Sequence, residues 1–292
     1  IAIVGPGLIG GSIGMALRRR KLAARVIGIG RRPTSLDEAM DVGAVDEVTL
    51  DPAEGVREAD LVVLATPISA FRNLIGQVAP AMKKGALLTE VASTKQAVIE
   101  IIADGLRQRP DLVFIPTHPM AGSEQRGAVH ANEALFEECV CIFTPLPDTP
   151  LEQLEHLESL WRALGAGVRR MSPAAHDRLV ARVSHLPHLA AAALVQTVTP
   201  DEAGLAGGGL IDTTRVASGD PKLWRDICQT NSEEIAAALQ SYAEQLRLMQ
   251  QALAEQDFAG LQKLLDEAKL KRDRLMQIRD GHKDADSEQQ PQ

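Results

Sequence analysis

Gly5-Pro6-Gly7-Leu8-Ile9-Gly10 follows directly on the strand-like run that starts at Ile1 and opens into Gly11-Ser12-Ile13-Gly14-Met15-Ala16-Leu17, which reads as helix. Each glycine has its own reason to be there. Gly5 permits a tight turn, Gly7 lets the backbone approach a pyrophosphate, and Gly10 allows a helix to pack closely on a strand. Leu8 and Ile9 carry the turn into the helix, whose first N–H groups and dipole favour the phosphates. Alone, such a glycine triplet can serve purely structural ends. With a strand before it, a helix after it and a second β-branched run at Val26 to Gly30, it reads as a dinucleotide-binding turn.

Outward from that turn, apolar runs recur at Leu61 to Pro67, Ala86 to Val91, Leu112 to Thr117 and Val140 to Pro145, separated by amphipathic stretches. Continuous apolar runs alternating with helical patterns predict an α/β fold, a doubly wound parallel sheet of Rossmann type covered on both faces. Composition changes near Pro145, Pro147 and Pro150, after which the chain reads as helix with no convincing strand. The expected organisation is therefore a dinucleotide-binding domain over 1–147, an all-α domain over 148–279, and an unstructured polar tail over 280–292. Within the helical part, Ile235, Leu239, Tyr242, Leu246, Met249 and Leu253 fall on one face of a long helix. That stripe is either core-facing or a seam against a second copy of the chain, and the two readings are compatible.

Composition narrows the function further. The 292 residues include 31 Lys+Arg against 39 Asp+Glu, a net charge of −8, which points away from nucleic acid and anionic membranes as partners. Hydrophobic residues at 45% and charged residues at 24% are those of an ordinary globular protein. No apolar run is long enough to span a bilayer. The three cysteines include Cys139 and Cys141, too close for ordinary bridging and without zinc spacing. A reducing, cytoplasmic setting is expected, with no structural metal. Ile1 already stands inside a strand pattern, so a short preceding segment is expected.

The second strand ends in Gly30-Arg31-Arg32, where an NAD site would carry an acid for the ribose hydroxyls. Two guanidinium groups there suit a 2′-phosphate, so NADP is favoured and NAD is the alternative. Thr66 and Pro67, closing the Leu61 run, would lie along the cofactor. Later strand ends carry Val91-Ala92-Ser93-Thr94-Lys95 and Thr117-His118-Pro119-Met120-Ala121-Gly122-Ser123-Glu124. A histidine at a strand end beside a nicotinamide site, with a hydroxyl on the neighbouring strand end, is a candidate acid/base group. The helical part adds Ser184-His185-Leu186-Pro187-His188, then Asp212-Thr213-Thr214-Arg215, then Asp220-Pro221 and Trp224. The spacing of His185 and His188 admits metal ligation, but Pro187 interrupts regular geometry and no carboxylate or cysteine cluster completes a shell.

With these motifs in this order, the chain resembles the prephenate and arogenate dehydrogenases of tyrosine biosynthesis over nearly its whole length, the tail from about Arg279 excepted. The resemblance implies a Rossmann domain followed by a helical dimerisation domain, and hence a homodimer acting on a small molecule. The implied reaction is an oxidative decarboxylation in which hydride passes to the nicotinamide and the ring aromatises. The resemblance makes His118 the base that takes the ring hydroxyl proton, and Ser93 the residue that orients it and touches the cofactor. By the same resemblance Arg215 is expected to bind a substrate carboxylate, His185, His188 and Trp224 to line the substrate pocket, and Glu124 and Asp212 to stand near its mouth.

Prephenate is the favoured substrate, because the residues after Glu124 are Gln125 and Arg126 rather than an acid to meet an ammonium group. Arogenate, or use of both substrates, is the alternative. Two more distant readings are a β-hydroxyacid dehydrogenase or imine reductase, and a silent NADP-binding sensor. The first lacks its usual helix lysine, since the segment from Ser184 to Trp224 has only Lys222, next to Pro221. The second is disfavoured by the presence of His118, Ser93 and Arg215 together.

Overall fold

Short fully buried strands build the centre of one sheet, as their apolar composition requires. A computed structural model describes residues 1–123 and 125–287 of the chain. Strands β1 (Ala2–Val4), β2 (Ile27–Ile29), β3 (Glu47–Thr49), β4 (Leu61–Leu64), β5 (Leu87–Glu90), β6 (Val113–Pro119), β7 (Val140–Phe143) and β8 (Gly167–Arg170) lie in the order β3-β2-β1-β4-β5-β6-β7-β8. Every neighbouring pair is parallel except β6 and β7. That exception has a local cause. Among the described residues the connection after β6 holds a single 3₁₀ turn, Ala128–His130, and no crossover helix, so the chain returns antiparallel.

Helices α1 (Leu8–Arg19) and α6 (Leu151–Ala163) cover one face, burying Ile13 and Leu17 with Leu154, Leu157 and Trp161. On the other face α4 (Phe71–Ala81) and α5 (Gln96–Leu106) bury Phe71, Ile75, Val78, Val98 and Ile102. Helices α2 (Pro33–Asp41) and α3 (Pro52–Val56) complete the first crossovers. The doubly wound sheet expected from the apolar runs is present. Two strands escape that reading, because β3 and β8 are edge strands with exposed polar positions at Glu47, Arg169 and Arg170.

Strand β8 also moves the expected boundary. The sheet does not end at 147: the proline-rich stretch is the loop into α6, and α6 with β8 adds a further unit, so the sheet-bearing part runs to Arg170. Beyond it come α7 (Pro173–Val180), a π turn over Ala181–His185, α8 (Leu186–Val195), α9 (Gly208–Thr214) and α10 (Pro221–Thr230). These belong to the same compact unit as the sheet, residues 1–235. A second unit spans 236–292. It takes in most of α11 (Ser232–Ala254) and all of α12 (Phe258–Ser287). Helix thus continues past Asp280, where an unstructured tail was expected, because nothing in 280–287 breaks the helix: there is no proline, and the one glycine is tolerated. Residues 288–292 of that expected tail lie outside the described residues. In α11 the apolar stripe leaves Leu239, Tyr242, Leu246 and Leu253 exposed by 37–55% in the single chain, which favours the seam over the purely core-facing reading.

Candidate active site

The glycine turn sits where the sequence places it, between β1 and α1. Gly5 has φ +91, and a Cβ there would stand 2.7 Å from Thr66 Cγ2. A Cβ at Gly10 would stand 2.4 Å from the Gly5 carbonyl oxygen and 2.9 Å from Ile3 Cγ2, so this glycine is what lets helix and strand touch. At Gly7, by contrast, a Cβ would meet nothing within 4 Å. The space above it is a cavity of about 660 Å³, lined by Gly5, Gly7, Gly30, Arg31, Arg32, Thr66 and Pro67 together with Ser35, Ser69 and Asn73.

This cavity suits a dinucleotide. Gly7 precedes α1 without a side-chain cap, which leaves the first-turn N–H groups for phosphate oxygens. Thr66 Oγ1 is a buried hydroxyl with no hydrogen-bond partner among the described residues. Among the described lining residues none is acidic, while Arg31 and Arg32 both contribute. Leu8, Ile9 and Gly10 lie on α1 beside the cavity rather than in its lining, and Ser93 is not part of it.

His118, in β6, is buried with 7% of its surface exposed. Burial pushes its pKa well below the ordinary histidine value, and the Lys95 charge, then His176 and His185, push the same way. Its imidazole is therefore neutral at neutral pH. His118 Nδ1 lies 2.8 Å from His176 Nε2, and His176 Nδ1 lies 2.8 Å from Asp177 Oδ1. Asp177 also accepts the backbone N–H groups of Lys95 (2.8 Å) and Gln96 (2.9 Å). Asn231 donates to the Asp177 carbonyl oxygen at 2.9 Å and lies 3.3 Å from His185 Nδ1. Beside this cluster a fully buried ion pair joins Lys95 Nζ to Glu90 Oε1 at 2.5 Å, with Glu90 Oε2 accepting the Ala92 N–H at 2.7 Å.

Three of the six expected substrate residues, His185, His188 and Trp224, cluster beside these groups. Trp224 stacks on His188 with ring centroids 3.4 Å apart and packs edge-on against His185 at 6.0 Å. Burial lowers the pKa of His188, and takes that of His185 down to about 4. His185 Nε2 is buried and has no hydrogen-bond partner among the described residues. Asp212 lies on α9 and Arg215 at its C-terminal end; both are exposed, and these segments pack on α8. Glu124 lies outside the described residues. Ser93, expected to orient His118, is half-buried between β5 and α5 and makes no hydrogen bond to it among the described residues. The Nδ1 partner is His176 instead, because α7 brings that ring against the end of β6. Sequence reasoning missed His176, Asp177, Asn231 and the Glu90–Lys95 pair. The one local signal was an adjacent His-Asp pair in a helix that starts Ser172-Pro173, which on its own is commonly surface decoration.

Comparison with known proteins identifies the family. Residues 13–170 match the family model described as the prephenate dehydrogenase nucleotide-binding domain, and 172–267 match that of the prephenate dehydrogenase dimerization domain. A cyclohexadienyl dehydrogenase of Zymomonas mobilis is 33% identical, covering 88% of this chain and 89% of its own. A prephenate dehydrogenase of Bacillus subtilis is 33% identical, covering 94% of this chain and 76% of its own. The crystal structure of Aquifex aeolicus prephenate dehydrogenase with hydroxyphenyl propionate and NAD+ superposes with a TM-score of 0.86 at 31% identity, covering 94% of this chain and 97% of that one. The chain is an oxidoreductase that belongs to the prephenate dehydrogenase family.

Proposed function

We propose that this enzyme converts prephenate to 4-hydroxyphenylpyruvate, with NADP favoured over NAD, and that His118 is its base. The observation that carries this reading is a buried, neutral imidazole at a strand end of a dinucleotide-binding sheet. A bound nicotinamide supplies the hydride acceptor. The protein holds the substrate and removes one proton, tasks met by proximity and a single base. His118 takes the ring hydroxyl proton as that carbon is oxidised to a carbonyl. Loss of the ring carboxylate as CO2 then leaves a phenolate, to which the proton returns. Arg215 pairs with a substrate carboxylate, and His185, His188 and Trp224 form the pocket wall, with Asp212 and Glu124 at its mouth. Ser93, at the β5–α5 junction and outside the cavity lining, is assigned to the cofactor by the family resemblance alone.

Preference for prephenate over arogenate is supported by Asp220. This acid accepts from the Lys222 N–H at 2.9 Å and pairs with Arg126 at 2.9 Å, so it is already engaged rather than open to an ammonium group. Preference for NADP is supported by Arg31 and Arg32 in the cavity wall. The exposed stripe of α11 supports a homodimer, and three unpaired thiols support a cytoplasmic setting. Among the described residues no helix is long and apolar enough to cross a membrane.

The test follows nicotinamide reduction with prephenate and with arogenate, each against NADP and NAD. Prephenate turnover that is lost in His118→Asn, with dinucleotide binding kept, is the expected result. Turnover with arogenate alone would overturn the substrate assignment, and an active His118→Asn would overturn the base. In Arg31→Ala/Arg32→Ala the KM for NADP should rise while that for NAD does not; an equal rise for both would refute the 2′-phosphate reading.

A further inference from the structure

We propose that Asp177, acting through His176, fixes which nitrogen of His118 is basic, making the two a positioning dyad for the catalytic histidine. The inference rests on the reading of His118 as base, and the structure supplies each link. Asp177 accepts three N–H groups, from His176 Nδ1, Lys95 and Gln96. Burial pushes its carboxyl pKa up, but these bonds outweigh burial and hold it below the ordinary value, so it is an ionised acceptor. An acceptor-only carboxylate at 2.8 Å obliges His176 to carry its proton on Nδ1. Burial keeps His176 neutral, which leaves a lone pair on Nε2. That lone pair faces His118 Nδ1 at 2.8 Å, so His118 must donate there. The neutral ring of His118 is then left with its lone pair on Nε2, the one nitrogen able to receive a proton.

The same chain handles the product of proton transfer. When His118 Nε2 gains a proton the ring becomes cationic, and the Nδ1–H bond to His176, backed by the Asp177 carboxylate, strengthens. The other titratable groups near His118 are Lys95 with its partner Glu90, His185 and Cys141. None of them makes a side-chain hydrogen bond to the His118 ring among the described residues. His176 is fully buried and Asp177 nearly so, so water does not substitute for either link.

The direct test is long-range ¹⁵N–¹H correlation on the full-length enzyme labelled at histidine, with the His118 signals assigned by their absence in His118→Asn. A neutral wild-type ring with its proton on Nδ1 is expected; a proton on Nε2 overturns the proposal, whatever the variants do. Steady-state kinetics give the second arm. In His176→Gln the side-chain oxygen can still accept from His118 Nδ1–H, so kcat should stay within about tenfold of wild type. In His176→Leu that acceptor is gone, and kcat should fall roughly 10²–10⁴-fold with the KM for cofactor little changed. A folded His176→Leu enzyme, judged by retained dinucleotide binding, with kcat unchanged overturns the proposal. If His176→Leu does not fold, the wild-type tautomer decides alone. Failure of the base reading shows separately, as an active His118→Asn.

Discussion

Lowering the pH should destabilise this protein through His185, and the size of the effect follows from its environment. The ring is 1% exposed, and burial takes its pKa from 6.5 to about 4. Because the folded-state pKa is depressed, the stability it contributes is present above about pH 6.5 and is lost as pH falls towards about 4. Between about pH 7.5 and about pH 5 the unfolded chain takes up most of one proton at this site and the folded chain almost none, which costs about 2 kcal/mol at 1.36 kcal/mol per pKa unit. That is a large share of a typical unfolding free energy of about 5–15 kcal/mol. The assay is guanidinium unfolding at both pH values and one fixed protein concentration, for wild type and His185→Gln. The pH-induced loss should be smaller in the variant by about 2 kcal/mol, whatever the absolute stability of either. Equal losses in the two proteins would refute the burial argument.

Three further outcomes follow. Glu90→Gln keeps an acceptor oxygen beside Lys95 but removes the charge that balances its buried ammonium, and should cost about 3–5 kcal/mol in denaturant unfolding, a loss that Glu90→Gln/Lys95→Met recovers in part; an unchanged midpoint in Glu90→Gln would contradict it. Gly10→Ala drives a Cβ to 2.4 Å from the Gly5 carbonyl oxygen, so it should lose about 1–3 kcal/mol and raise the KM for dinucleotide, both absent if α1 can shift freely. Gly219→Ala places a Cβ 2.6 Å from Trp224 Nε1 and 2.8 Å from His188 Cε1, which should unstack those rings and raise the KM for substrate; a rise confined to the cofactor would place the rings elsewhere in the reaction.

The parts of this molecule that sequence reasoning reaches are those whose physics is local. The glycine turn is legible because each glycine answers to atoms a few residues away or to the phosphates themselves, and the central strands because burial on both faces leaves long apolar runs. Strand β8 is not legible: Gly167-Val168-Arg169-Arg170 sits at the sheet edge and half of it faces solvent, so its composition carries no strand signature and the boundary was placed before α6 instead of after β8. His118 stands in a recognisable motif, but its partner His176 lies 58 residues away. That contact is created by α7 docking on the sheet, which no short-range pattern encodes. The resemblance casts Ser93 as the residue that orients His118, but the hydrogen bond that His118 Nδ1 makes is to His176.

Hydrogen bonds between the sheet and the following helices also bear on how the enzyme can be re-engineered. Asp177 is tied to the Lys95 and Gln96 amides, Thr94 Oγ1 to Thr230 Oγ1 at 2.8 Å, and the Ser69 amide to Asp226 at 3.2 Å. The two family models meet between residues 170 and 172, yet all these bonds cross that junction. The domains are therefore not interchangeable cassettes. A chimaera joined there from two relatives would need its donor and acceptor sets matched at residues 69 and 94–96 against 176–177, 226 and 230, and recombination libraries should treat those positions as one inherited block.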